Sequence, residues 1–274
     1  MTERPAPWTL IPEGRPLGKI TTLRAAGLSD VGLQREHNED AFCLLHEYDL
    51  FLVADGMGGH RAGDVASRMA TQAIAAFFQA TASDDATWPF HFDPSLSVEE
   101  NRLQTGIKIA NRKIFEASNR SLDVRGMGTT VVGIVFNRER GKAYIAHVGD
   151  SRCYRIRNGQ IVQLTRDHSL LNDYLLVMPD MPQEQRDELP RNVITRALGM
   201  QESVLIDLVP DDPEPGDRYV LCSDGLTGMV DDQFVCETVT RAGDDIERAA
   251  RELVERANQA GGEDNITVVV VAVE

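Results

Sequence analysis

Four aspartates stand where an apolar run meets a glycine or another small residue. Asp55 closes the run Leu50–Ala54 and is followed by Gly56, Met57, Gly58 and Gly59. Asp150 lies in AHVGDSR (Ala146–Arg152), Asp224 in VLCSDGL (Val220–Leu226), and Asp264 in GEDNIT (Gly262–Thr267). Glu39 and Asp40 end the polar turn REHNED (Arg35–Asp40), just before another apolar segment. One aspartate so placed is an ordinary turn residue; the same arrangement at four junctions points to a shared site. Carboxylates gathered in one place repel each other unless a cation holds them. All-oxygen donors with no His/Cys ligand spacing favour Mg²⁺ or Mn²⁺ over zinc. Two such ions sharing a carboxylate can activate a water and clamp a phosphoryl oxygen.

The elements that must carry these groups follow from pattern. The unbroken run ending at Asp55 reads as a strand buried on both faces. The glycines behind it let backbone groups approach a ligand closely. Leu23–Leu33 and Ala41–Leu45 read as short strands around the REHNED turn. Asp64–Ala80 reads as a helix. Ser97 and Glu100 form a capping box for a second helix, to about Asn119, with Leu103, Ile107, Ala110, Ile114 and Ala117 on one face. Strands follow at Thr129–Phe136, Lys142–Val148 and Arg152–Arg157, and Asn158-Gly159 signals a hairpin into Gln160–Leu164. Residues 165–192, with Pro179, Pro182 and Pro190, read as a long irregular loop, and such loops are usually functional. Arg218–Cys222 reads as a strand, Asp244–Gln259 as an amphipathic helix and Asn265–Val273 as a buried strand. Neither a repeat nor a linker divides the chain. This order fits two layers of sheet covered by helices.

Composition narrows the function. The chain has 274 residues, 42% of them hydrophobic, enough for a substantial core. Its net charge of −15 and pI of about 4.8 argue against nonspecific nucleic-acid binding and against docking on anionic lipid, which need a basic face. No apolar run approaches the ~20 residues of a membrane span. Residues 1–19 are a proline-rich arm without a secretory profile. Cys43, Cys153, Cys222 and Cys236 are far apart, with no CxxC; the first three sit in apolar or strand-like stretches and read as small core residues. The expectation is a cytoplasmic, reduced protein.

Taken in order, Arg35–Asp40 (REHNED), Asp55–Gly59 (DGMGG), Gly126–Thr130 (GMGTT), Gly149–Arg152 (GDSR), Asp167–Ser169 (DHS), Arg191–Gly199 (RNVITRALG), Ser223–Gly225 (SDG) and Asp264–Asn265 (DN) resemble the metal-dependent serine/threonine protein phosphatases of the PPM, or type 2C, family, and its compact bacterial members in particular. The resemblance spans roughly residues 22–273. It implies an α+β fold, a four-layer α-β-β-α sandwich of two mainly antiparallel sheets flanked by helices. Residues 20–274 would form one catalytic domain, with 165–192 a flap beside the cleft. Two Mn²⁺ or Mg²⁺ ions are implied, with a third, weaker one in bacterial members. Carried over by position, Asp55 would bridge the two ions and Gly56 would lend its backbone carbonyl. Glu39 would complete one ion, Asp224 and Asp264 the other. Asp150 would help hold the third. Asp40 would orient the attacking water, and Arg35 would grip the phosphate with its planar fork. The implied reaction is direct in-line attack by metal-activated water on phosphoserine or phosphothreonine, without a phosphoenzyme. Its substrates would be phosphorylated proteins, a partner serine/threonine kinase among them, and the protein would act as a monomer.

Met57 departs from the eukaryotic pattern, where a histidine in that place is thought to protonate the leaving oxygen. His60 lies three residues on, but water is the better proton source. His37, His147 and His168 read as structural hydrogen-bonding residues. Two other functions fit part of the pattern: an inactive phosphoprotein-binding module on the same fold, and a two-metal phosphodiesterase or nuclease. The first would be expected to lack a metal ligand, yet Glu39, Asp55, Asp224 and Asp264 are all present. The second sits badly with the acidic charge.

Overall fold

The computed structural model describes residues 20, 22–58, 62–82, 88–190 and 193–274. The arm expected over 1–19, Gly59, His60, Arg191 and Asn192 lie outside them. The described elements run β1 (Leu23–Asp30), β2 (Asp40–Leu45), β3 (Leu50–Met57), α1 (Ala62–Ala80), α2 (Val98–Arg120), β4 (Gly128–Thr129), β5 (Val131–Asn137), β6 (Lys142–Val148), β7 (Arg152–Arg157) and β8 (Gln160–Gln163). The chain continues through α3 (Leu170–Val177), α4 (Gln183–Glu188), β9 (Asp207–Asp211), β10 (Arg218–Cys222), α5 (Asp224–Thr227), α6 (Asp232–Ala242), α7 (Ile246–Gln259) and β11 (Ile266–Val273).

Two antiparallel sheets result. One has the order β1-β11-β10-β7-β8; the other runs β2-β3-β5-β6-β9, with β4 paired to the end of β3. Strand alternation explains how they stack. Phe51 and Val53 of β3 meet Val269 and Val271 of β11 in the core between the sheets. Leu50, Leu52 and Ala54 face the other way, onto Ala66, Ala70, Ile107 and Ile114 of α1 and α2. Val268, Val270 and Ala272 pack against Leu253, Val254 and Ala257 of α7. The layers are therefore helix, sheet, sheet, helix, as expected. Both faces of β3 and β11 are covered, which is why each reads as a continuous apolar run. Each fully buried branched side chain there stabilises the fold by roughly 1.5–3 kcal/mol relative to exposure.

Local signals set the ends of elements. Ser97 Oγ accepts the Glu100 N–H at 3.1 Å and the Ser97 N–H donates to Glu100 Oε2 at 2.8 Å, the expected capping box. Asn158 and Gly159 have φ of 53° and 71°, the left-handed pair of a tight hairpin turn.

Residues 165–192 are less irregular than the prolines suggest. They contain α3, whose N-cap Ser169 accepts the Asn172 N–H at 3.3 Å, and α4. No residue of α3 is fully buried; the helix is half-buried at Leu170, Leu171 and Leu175 and tied down by Asn172 Nδ2 donating to the Asp167 carbonyl at 3.0 Å. Strand β9 was not expected either. Among the described residues it pairs only with β6, at the sheet edge, where Pro210 is tolerated.

Candidate metal centre

Asp55 belongs to the face of β3 that carries Phe51 and Val53, so it continues the inter-sheet core and emerges where the two sheets part. Its backbone is clamped by the GMGTT segment. The Asp55 N–H donates to Thr130 Oγ1 at 3.0 Å, and its carbonyl accepts the Thr130 N–H and the Thr129 hydroxyl, both at 2.8 Å. Asp40 lies directly across from it in the β2–β3 register. Gly56 cannot carry a side chain: a Cβ would lie 2.5 Å from the Glu39 carbonyl oxygen and closer still to that of Gly63. This packing fixes Glu39 beside Asp55, and the Gly56 N–H donates to the Glu39 carbonyl at 3.1 Å.

The other sheet supplies the opposing carboxylates. Asp224 is the first residue of α5, right after β10, and its carboxylate meets that of Asp55 within hydrogen-bonding range. Asp264 precedes β11; its Oδ1 accepts the Asn265 N–H at 2.8 Å and its Oδ2 pairs with Arg35 Nη2 at 2.7 Å. Asp150 sits between β6 and β7 and is 9% exposed. The expected cluster is thus assembled. Arg35 is present at its exposed edge, tied to Asp264 and not standing alone as a phosphate fork.

Burial and crowding perturb Glu39, Asp40, Asp55, Asp150 and Asp224 in one direction. Burial pushes Asp55 well above the usual carboxylate range, and Asp40, Asp224, Asp150 and Asp264 add to it. Burial raises Asp40 to about 7, against hydrogen bonds from Thr267 and Ser223 that oppose the rise. Asp150 is raised to about 7 by burial and by Asp224. Glu39 and Asp224 are raised, again chiefly by burial. Glu39 Oε1, Asp40 Oδ1 and Asp150 Oδ1 are buried without a hydrogen-bond partner. Buried carboxylate oxygens left unpaired are costly, and divalent cations satisfy both the lone pairs and the charge. The residues present therefore fit hard, oxygen-seeking ions.

A family model, Protein phosphatase 2C, matches residues 34–267. The chain belongs to the protein phosphatase 2C family. It is 36% identical over 251 residues to serine/threonine phosphatase stp of Listeria monocytogenes, covering 89% of this chain and 93% of that protein. The solved structure of serine/threonine phosphatase Stp1 from Staphylococcus aureus superposes with a TM-score of 0.79 at 33% identity, covering 96% of this chain and 99% of that one. The catalytic domain of PstP, solved in complex with two manganese ions, superposes with a TM-score of 0.75 at 34% identity, covering 92% and 98%.

In this protein phosphatase 2C chain several supporting residues went unread, although they lie inside the motifs. Ser223 is fully buried; its hydroxyl donates to Asp40 Oδ2 at 2.8 Å and accepts the Thr267 N–H at 2.9 Å. Asn265 braces the REHNED turn, accepting the Glu39 N–H at 2.8 Å and donating to the Val31 and His37 carbonyls at 2.9 Å. Thr130 links the Asp55 backbone to Ser151 at 2.7 Å. The available signal was a small polar residue within a carboxylate motif.

His147, His168 and Asp207 also bring donor atoms within 4.8 Å of one another. They do not suit a cation. The Gly149 N–H points at His168 Nδ1 at 3.1 Å, which makes Nδ1 the acceptor and leaves the proton on Nε2, facing Asp207 at 3.3 Å. Arg196 Nη1 lies 3.2 Å from the same nitrogen and would repel an ion. The two rings stack at 4.7 Å, and burial lowers both pKa values, that of His168 to about 4. Both histidines are neutral supports, as the sequence suggested.

Proposed function

We propose that this chain hydrolyses phosphoserine and phosphothreonine in proteins through a centre of Mn²⁺ or Mg²⁺ ions. Asp55 and the Gly56 carbonyl would help hold two of these ions. Glu39 would complete one, Asp224 and Asp264 the other, and Asp150 would help hold a third. When bound, such ions activate water for in-line attack and neutralise charge on the phosphoryl oxygens. The chain's own groups do the rest. Asp40, anchored by Ser223, would orient the attacking water. Asn265 and the Thr129–Thr130 pair keep Glu39 and Asp55 from shifting as charge changes. Arg35, half exposed at the mouth, receives the phosphate oxygens; charge-assisted contacts from a guanidinium suit that geometry.

The observation that carries this reading is the buried carboxylate cluster with orphaned oxygens on Glu39, Asp40 and Asp150. It also disfavours an inactive binding module, which has no use for so costly an assembly. We take residues 20–274 as one catalytic domain with 165–192 as its flap, and the protein as a cytoplasmic monomer whose substrates include a partner serine/threonine kinase. No helix among the described residues is long and apolar enough to cross a membrane. The test is hydrolysis of a phosphothreonine peptide by purified protein. Activity should require Mn²⁺ or Mg²⁺ and vanish in EDTA, and full turnover in excess chelator would overturn the reading.

A further inference from the structure

A cavity of about 520 Å³ opens beside the carboxylate cluster, between Met57 and the stretch 194–205. Its apolar walls are Met57, Ile194, Ala197, Met200, Val204 and Leu205. Strand β3 links the cavity to the candidate centre, since it carries both Asp55 and Met57. Met57 follows Asp55 by two residues on the same strand face, which sets the two side chains about 7 Å apart. Gly128 pairs with Met57, and Met200 fills the space that a side chain there would take, its Sδ 3.1 Å from the Cβ position.

The far wall is held in place by backbone hydrogen bonds. Leu198 exchanges backbone hydrogen bonds with Thr129, at 2.8 and 3.2 Å, and the Thr195 N–H donates to the His168 carbonyl at 2.8 Å. The same stretch anchors the flap, because the Leu170 N–H donates to the Val193 carbonyl at 2.9 Å. Among the described lining residues Arg196 brings the only positive charge, and Asp207 already takes it at 2.8 Å. Of the apolar lining, Met200 is 54% exposed and Leu205 73%, beside the exposed polar Thr195, Gln201 and Ser203. On so acidic a chain, a preformed apolar hollow next to the reacting centre selects apolar over acidic groups.

We propose that this cavity is a specificity subsite that receives an apolar side chain one or two residues from the phosphorylated residue of a protein substrate. An extended peptide advances about 3.3–3.6 Å per residue, so with its phosphate at the carboxylates a near neighbour reaches the cavity. The subsite rests on the phosphatase reading above.

The test uses Mn²⁺-loaded protein and phosphothreonine peptides carrying Ala, Leu, Phe or Glu at each of the two positions on either side. At one position Leu or Phe should exceed Ala in kcat/KM by about tenfold, the scale on which a hydrophobic pocket discriminates, with Glu poorer still. Met200→Lys and Leu205→Lys change exposed residues, and their thermal midpoints report folding. Each should erase the Leu preference and raise Glu relative to Leu. A flat wild-type profile, or a preference unchanged in both variants, overturns the subsite and leaves the phosphatase reading intact. Failure to hydrolyse any peptide would instead defeat the phosphatase reading, and the subsite with it.

Discussion

Asp150→Asn should stabilise the metal-free protein, and more at alkaline than at acid pH. Asp150 is 9% exposed, and burial with Asp224 lifts its pKa from an ordinary 3.8 to about 7. A carboxyl whose folded pKa is raised opposes folding increasingly as pH climbs from its unfolded to its folded pKa, because only the unfolded state ionises freely. The rise of about three units corresponds to about 4 kcal/mol at about pH 8. At about pH 5 only the span above 3.8 counts, and the penalty falls to about 1.5 kcal/mol. Asparagine keeps the shape and has no charge to bury, so its gain should be larger at pH 8 by about 2.5 kcal/mol, an upper value given structural relaxation. At roughly 2–4 °C per kcal/mol for a chain of this size, the variant's advantage should grow by about 5–10 °C. Thermal unfolding in EDTA at both pH values measures it. An advantage equal at the two pH values, or none at pH 8, would refute the idea that Asp150 carries buried, uncompensated charge.

Arg35→Ala should raise KM for a phosphopeptide more than it lowers kcat, since the half-exposed fork at the cleft mouth serves phosphate binding; a fall in kcat at constant KM would assign it to the transition state. Ser223→Ala should cost about 1–3 kcal/mol in chemical unfolding, because it strands the buried Thr267 N–H and removes one of the hydrogen bonds on Asp40. A loss under 1 kcal/mol would mean that water replaces the hydroxyl. Shortening Asp180–Glu188, next to α3, should lower kcat/KM on a phosphoprotein far more than on p-nitrophenyl phosphate. Equal losses in a well-folded variant would show that the segment supports the centre itself.

What could be read in the sequence was what burial imposes on it. Strands β3 and β11 are covered on both faces, so their apolar runs and the aspartates beside them stood out. The capping box of α2 and the Asn158-Gly159 turn are local devices that work wherever they occur. Helix α3 left only a weak signal, a cluster of apolar residues among prolines and acids, because none of its residues is fully buried and no sharp periodicity is selected. Strand β9 borrows its pairing from β6 and carries a proline, so its own pattern is weak. Helix α6 does carry Val235, Cys236, Val239 and Ala242 at helical spacing behind an Asp231 cap, a signal obscured by the polar residues and glycines around it. At the centre the carboxylates were legible and their props were not. Ser223, Thr130 and Asn265 act through contacts across the sheets, which spacing along the chain does not encode. Nor does it encode the pairing of Arg35 with Asp264.

The central claim is that Asp55 joins two ions in one cluster, and Mn²⁺ binding tests it without recourse to turnover. Titration of the metal-free protein, followed by the electron paramagnetic resonance of free Mn²⁺, should show two tight sites in the wild type and the spin-coupled spectrum of neighbouring ions. Asp55→Asn should abolish the coupled signal and weaken both sites together, since it removes the carboxylate assigned to both. Two tight, coupled sites persisting in Asp55→Asn would contradict the account.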